Sequence, residues 1–138
     1  MVRKGPVKKR DETFIRGRLV IARAFLKDAR NSNAVADAGD IGNPSMSTII
    51  NCAIAFTDVI TAKYLGETNK DDHQAVVKLL RAALGNRLPD AQARQLASLL
   101  EQKDEVQYGS RAKTRADADR ALERLEDYVE WAERIIAE

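Results

Sequence analysis

Apolar residues along this chain recur at helical spacing in nearly every segment long enough to show a period, and nowhere do they alternate as in a half-buried strand. Ile15, Leu19, Ala22, Leu26 and Ala29 fall three and four residues apart, which predicts a helix over about Asp11 to Ala29 with one buried stripe. The run from Asn31 to Asn43, rich in Asn, Asp, Ala and Gly, is expected to be a loop. A second helix is predicted from Asn43, as its cap with Pro44 in the first helical position, to Leu65, where Gly66 can close it. Ile49, Ala53, Phe56, Ile60 and Tyr64 form its main ridge, widened by Ile50, Ile54 and Val59. A helix apolar on so many sides belongs in the middle of a bundle or at a dimer seam. Asn51, Ala55, Asp58 and Ala62 make a second, small and polar face on which another helix could approach closely.

The third helix is predicted over about Lys70 to Leu84, with Thr68 and Asp71 resembling a capping box and Val76, Leu79, Leu80 and Ala83 inside. A fourth runs from Pro89-Asp90 to about Tyr108, with Leu96, Leu99, Leu100 and Val106 inward and Gly109 as its stop. The last has the clearest period: Ala118, Leu122, Leu125, Val129, Ala132 and Ile136, capped by Thr114 and Asp117. Short connections after the second helix favour antiparallel neighbours. The pattern therefore predicts an all-α chain, an antiparallel up-and-down bundle of four to five helices over residues 10–138 behind a basic flexible tail, residues 1–9.

Composition narrows the class without changing it. Hydrophobic residues at 44% beside 32% charged are the proportions of a folded domain, and 138 residues suffice for one core. Cys52 is the only cysteine, so no intrachain disulfide can form, and its apolar setting predicts a buried, inert thiol. The most apolar stretch, Ser47 to Leu65, is interrupted by Asn51, Asp58 and Lys63 and reads as a core helix rather than a membrane span. No signal-peptide core follows the basic start, so a cytoplasmic location is expected.

Charge is distributed unevenly. Residues 1–30 hold ten Lys or Arg against three acids, +7, and the remainder thirteen against eighteen, −5, for a net +2. Arg16, Arg23, Lys27 and Arg30 lie on a stripe apart from the apolar one, behind Arg3, Lys4, Lys8, Lys9 and Arg10. Such a stripe could meet phosphates or an acidic partner, although no aromatic residues interleave with it to stack on bases.

Catalytic chemistry is sparsely provided. His73 is the sole histidine, and its neighbours Asp71 and Asp72 spread around the helix instead of converging, so a structural or capping role is expected and no metal. Ser47 and Ser110 have no base beside them, and no glycine-rich phosphate loop follows a strand. Glu123, Glu126, Asp127, Glu130 and Glu133, interleaved with Arg120, Arg124 and Arg134, read as solvated surface. Trp131 falls off the main stripe of its helix, which suits an interface anchor or packing over the helix edge.

Two stretches resemble the HEPN superfamily of helical domains. One is Asn51-Cys-Ala-Ile-Ala-Phe-Thr-Asp58, followed by Tyr64-Leu-Gly66 and Asp71-Asp-His73. The other is Leu99-Leu-Glu-Gln-Lys-Asp-Glu-Val-Gln-Tyr108-Gly-Ser-Arg111, followed by the helix Ala116 to Ile136. The resemblance spans roughly residues 45–136. It implies a helical bundle that dimerises through its helices, in a superfamily containing ribonuclease toxins and domains that partner nucleotidyltransferases in toxin–antitoxin modules. The catalytic members carry an Arg followed a few residues later by His near the start of a late helix. Here the late region offers Lys103 and Tyr108 with no His, so metal-independent RNA cleavage is not expected. Lys103, Tyr108 and Arg111 are then the candidates for ligand or RNA contact, unless Lys103 and Tyr108 merely pack at a helix end. The expectation is a non-catalytic, cofactor-free homodimer, Asn51, Asp58 and Trp131 serving its interfaces, that binds a nucleotidyltransferase or toxin–antitoxin partner. The alternative is an RNA-binding or RNA-cleaving protein using the basic first helix. A small DNA-binding regulator ranks last, because no tight helix-turn-helix pair stands out.

Overall fold

Helix α1 (Glu12–Val35) begins where the first apolar stripe predicts, with the Asp11 carboxylate accepting the Phe14 amide at 3.0 Å. It buries Ala22, Leu26, Ala29 and Asn33 and continues past Ala29 through residues expected to form a loop. Tertiary partners reward the polar side chains there: the Ser32 and Ser45 hydroxyls share a hydrogen bond of 2.6 Å, and the Asn33 amide donates to Asp119 at 3.1 Å. The computed structural model describes residues 7–70 and 72–138. Residues 1–6, Asp71 and the His73 side chain, with the readings placed on them, lie outside the described residues.

Helix α2 (Asn43–Leu65) follows, and Asn43 does not cap it. Gly42 holds the cap position, while the Asn43 side chain reaches across the bundle. Its amide donates to the carbonyls of Val106 (3.1 Å) and Arg111 (3.3 Å), and its oxygen accepts the Lys113 amide at 2.7 Å. The Gly42 amide donates to the Lys113 carbonyl at 2.7 Å, an approach so close that a Cβ there would collide with the Thr114 carbonyl oxygen. At the other end Gly66 adopts φ 73°, the left-handed closure expected of it, and its amide returns to Ala62.

Two three-residue strands, β1 (Val7–Lys9) and β2 (Glu67–Asn69), pair antiparallel, Val7 opposite Asn69 and Lys9 opposite Glu67. Val7–Lys9 thus clip onto the chain just beyond α2 instead of belonging to a loose tail; a strand this short shows no readable alternation. Thr68 sits in β2, its hydroxyl accepting from Arg10 Nε at 2.9 Å, so it caps no helix. A short 3₁₀ turn (His73–Ala75) leads instead into α3 (Val76–Leu84). The predicted fourth helix is α4 (Asp90–Glu101) and α5 (Lys103–Tyr108), broken at Gln102 where Glu101 to Glu105 offer no apolar side chain to hold the helix to the core. The last helix, α6 (Arg115–Ala137), carries the predicted capping box: Thr114 Oγ1 accepts the Asp117 amide and the Asp117 carboxylate accepts the Thr114 amide.

Cross-helix contacts fix the directions of the long helices. Ser32 meets Ser45, Ala22 meets Cys52 and Arg18 meets Asp58, so α1 and α2 are antiparallel. Asn33 meets Asp119, Arg30 meets Glu126 and Arg23 meets Glu133, so α1 and α6 are antiparallel too. Gly42 meets Lys113, Thr57 meets Tyr128 and Tyr64 meets Ile135, so α2 and α6 run parallel, the chain having crossed back through α3 to α5. The result is an all-helical bundle with α2 at its centre, burying Ile49, Ile50, Ala53, Phe56, Val59 and Ile60. α2 is long and apolar enough to cross a membrane, and 72% of its apolar window is instead covered by its own bundle. Cys52 is fully buried there, and burial pushes its thiol up to about 12, the inert state its setting predicts.

Candidate functional site

The basic stripe of α1 is divided between two uses. Arg23 is held by both Glu133 oxygens (3.1 and 3.2 Å), and Arg30 by both Glu126 oxygens (2.6 and 2.9 Å). These bidentate pairs bind α1 to α6, and the Glu126 hydrogen bond raises the Arg30 guanidinium further above its ordinary value. The carboxylates that the sequence assigned to solvated surface are thus the partners of the arginines assigned to phosphate. Arg16 and Lys27 are exposed and, among the described residues, make no ion pair.

The outward face of α1 was not singled out by its sequence. At about 100° per residue, Gly17, Val20, Ala24 and Val35 share an arc directly opposite the buried stripe, with Ile21 beside it, and Lys27, Asp28 and Asn31 interrupt that arc between Ala24 and Val35. Val20 is 68% exposed, Val35 79% and Ile21 44%. Nothing lies within 4 Å of where a Gly17 Cβ would stand, so the short apolar patch around Val20 is open. The outward face of α6 is the internal contrast: Asp119, Glu123, Arg124, Asp127, Glu130 and Arg134 are all exposed and all charged. The missed signal was in the pattern, since Val20 and Ile21 lie off the stripe that predicts burial.

A second feature is a cleft of about 320 Å³ lined by Ile54 and Asp58 of α2, Asn69 of β2, Asp72, Val76 of α3, and Lys103, Asp104 and Tyr108 of α5. Three residues singled out separately, Asp58, Lys103 and Tyr108, meet here because α5 lies against α2. The Asp58 side chain is 14% exposed and stands 3.6 Å from Arg18 Nε, too far for a hydrogen bond. Burial raises its pKa to about 6, against the opposing pull of Arg18 and Arg10. Lys103 donates to Gln107 at 2.7 Å and lies 5.8 Å from the centre of the Tyr108 ring, which is 78% exposed at the lip. Three carboxylates against one ammonium make the cleft a poor seat for phosphate. Among the described residues no three His, Cys, Asp or Glu side chains converge as a metal site requires.

The other candidates stand apart. Arg111 lies outside the cleft, 3.6 Å from Glu105, and lends only its carbonyl to Asn43. Asn51 is half-buried on α2, one helical face with Asp58 but not lining the cleft. Trp131 is corrected outright as an interface anchor: it is 5% exposed, its ring 5.5 Å from that of Tyr128, inside the core. α6 is contacted by α1, α2 and α4, so its buried arc is wider than the stripe read from its period. No protein-family model and no curated protein matches this chain.

Proposed function

We propose that this protein is a non-catalytic interaction domain, a HEPN-like helical bundle that acts by docking a protein partner. The observation that carries this is the exposed apolar patch of Val20 and Ile21 on α1, with Val35 exposed at the end of the same helix, on a molecule whose other long outward face is charged. The partner class comes from the resemblance of residues 51–58 and 99–111: a nucleotidyltransferase or another toxin–antitoxin component, met by a homodimer of this chain. RNA binding through α1 is the weaker alternative, because Glu133 and Glu126 already occupy two of its four bases.

A tagged pull-down from the host that encodes the chain, run with and without nuclease and followed by sedimentation analysis, tests this. A stoichiometric protein that survives nuclease is the expected result. Recovery of RNA alone, or of a lone monomer with no protein, would overturn it.

A further inference from the structure

The cleft over Asp58 holds two polar groups that the fold leaves without a hydrogen bond, one an acceptor and one a donor. The Asp58 carboxylate is 14% exposed; its nearest cation, Arg18 of α1, stands 3.6 Å off and does not line the cleft. Asn69, on β2, does line it, and its side-chain nitrogen is buried with no partner among the described residues. The orientation of that amide is fixed. Its oxygen accepts the Asp72 amide at 3.1 Å, and turning the side chain over would set N–H against N–H. A buried donor without an acceptor is uncommon in folded proteins, and its place on a cleft points to an acceptor brought by a ligand.

The rest of the lining sets size and charge. About 320 Å³ admits one small molecule or one residue of a chain, with Ile54 and Val76 as apolar wall and the exposed Tyr108 ring at the lip. Asp72 makes no ion pair among the described residues, so Asp58 and Asp72 together favour a cation. Lys103 is already held by Gln107, and carboxylates outnumber it on the lining, so the acceptor that meets Asn69 has to be neutral. We infer that the cleft binds a protonated primary amine beside a neutral carbonyl, on an apolar stem, as at the first residue of a peptide. The ammonium meets Asp58 and Asp72, the carbonyl oxygen accepts from Asn69, and the stem lies against Ile54, Val76 and Tyr108. A free amino-acid amide and the amino terminus of a chain share that chemistry. The inference makes no use of the α1 patch, so either reading can fail without the other.

The probe is leucinamide, titrated into the full chain at neutral pH and followed by the backbone amide resonances. The expected result is millimolar or tighter binding that shifts the amides around Asp58, Asn69 and Tyr108. Asp58→Asn, which removes the charge and keeps the shape, should weaken it about tenfold or more. N-acetylleucinamide, which lacks the charge, should shift nothing, and isoamylamine, which lacks the carbonyl, should bind several-fold more weakly. Lys103→Gln should leave leucinamide binding equal or tighter, since it removes a like charge from the lining. A tripeptide amide beginning with leucine separates the sources: retained affinity assigns the cleft to a chain terminus, lost affinity to a free amide, and both support the chemistry. Equal binding by Asp58→Asn, weaker binding by Lys103→Gln, free leucine or N-acetylleucinamide binding as tightly as leucinamide, or no shift near the cleft overturns the inference.

Discussion

Replacing Asp58 with Asn removes a carboxylate whose charged form burial disfavours. Its pKa in the bundle is about 6 against an ordinary 3.8, with burial the largest cause. A tenfold change in proton affinity corresponds to about 1.36 kcal/mol, so the ionised side chain costs the folded state roughly 3 kcal/mol at pH 7. Below pH 3.8 the group is neutral in both states and contributes nothing. Between 3.8 and 6 the unfolded chain gives up the proton first, the folded state binds more protons, and stability falls as pH rises. Above about 6 the penalty is complete and constant. Asn keeps the shape without the charge, so the stability of Asp58→Asn relative to the native chain should climb by about 2.4 kcal/mol from pH 4 to pH 7. Losing the Arg18 partner adds a constant offset, which makes the slope rather than the absolute difference the quantity to read. Urea denaturation followed by circular dichroism at four pH values between 4 and 7.5 measures it. Profiles that run parallel, or a gap that closes as pH rises, would refute the placement of Asp58 as a desolvated acid.

Gly42→Ala should lose about 1–3 kcal/mol of stability, because the new methyl meets the Thr114 carbonyl, whereas Gly39→Ala, with nothing within 4 Å, should be near neutral in the same urea titration. Asn43→Ala removes three hydrogen bonds tying α2 to the segment before α6 and should cost about 2–3 kcal/mol; an unchanged midpoint would mean that these bonds do not form in solution. Combining Arg16→Ala, Arg23→Ala and Lys27→Ala should leave retention on an RNA column unchanged across a salt gradient, and a log–log salt slope shallower by about two to three would restore the RNA alternative. Val20→Asp should leave the thermal melt within about 0.5 kcal/mol of native and abolish partner capture.

What the residue pattern made legible was local. Thr114 with Asp117 and Gly66 each act through neighbours within a few turns, and the ridge from Ile49 to Tyr64 shows its period within one helix; each stands where the pattern put it. Asn43, Thr68 and Asn33 were misread for one reason: each has side-chain chemistry that suits a cap or loop, and each spends it on a partner far along the chain. Trp131 was misplaced because a one-dimensional stripe represents one contacting neighbour, and α6 has three. The resemblance brought Asp58, Lys103 and Tyr108 to notice from two separate stretches, but only the seating of α5 against α2 makes them a cleft. The outward face of α1 was hidden for the opposite reason, since attention to a buried stripe passes over apolar residues that nothing buries.

The clip between β1 and β2 has a consequence for motion and proton binding together. Among the described residues three backbone pairs join its strands, with Lys9–Glu67 and the Arg10 amide on Gly66 beside them, so its amides should exchange with solvent long before those of α2. Arg10 follows directly on β1; it is anchored on Thr68, over the ring of Phe14, and there it lowers the proton affinity of Asp58. When the clip opens, Arg10 leaves Thr68 and takes its pull on Asp58 with it. The amino-terminal segment and the floor of the cleft are therefore linked through one guanidinium, and whatever shifts the clip shifts the charge beside Asp58.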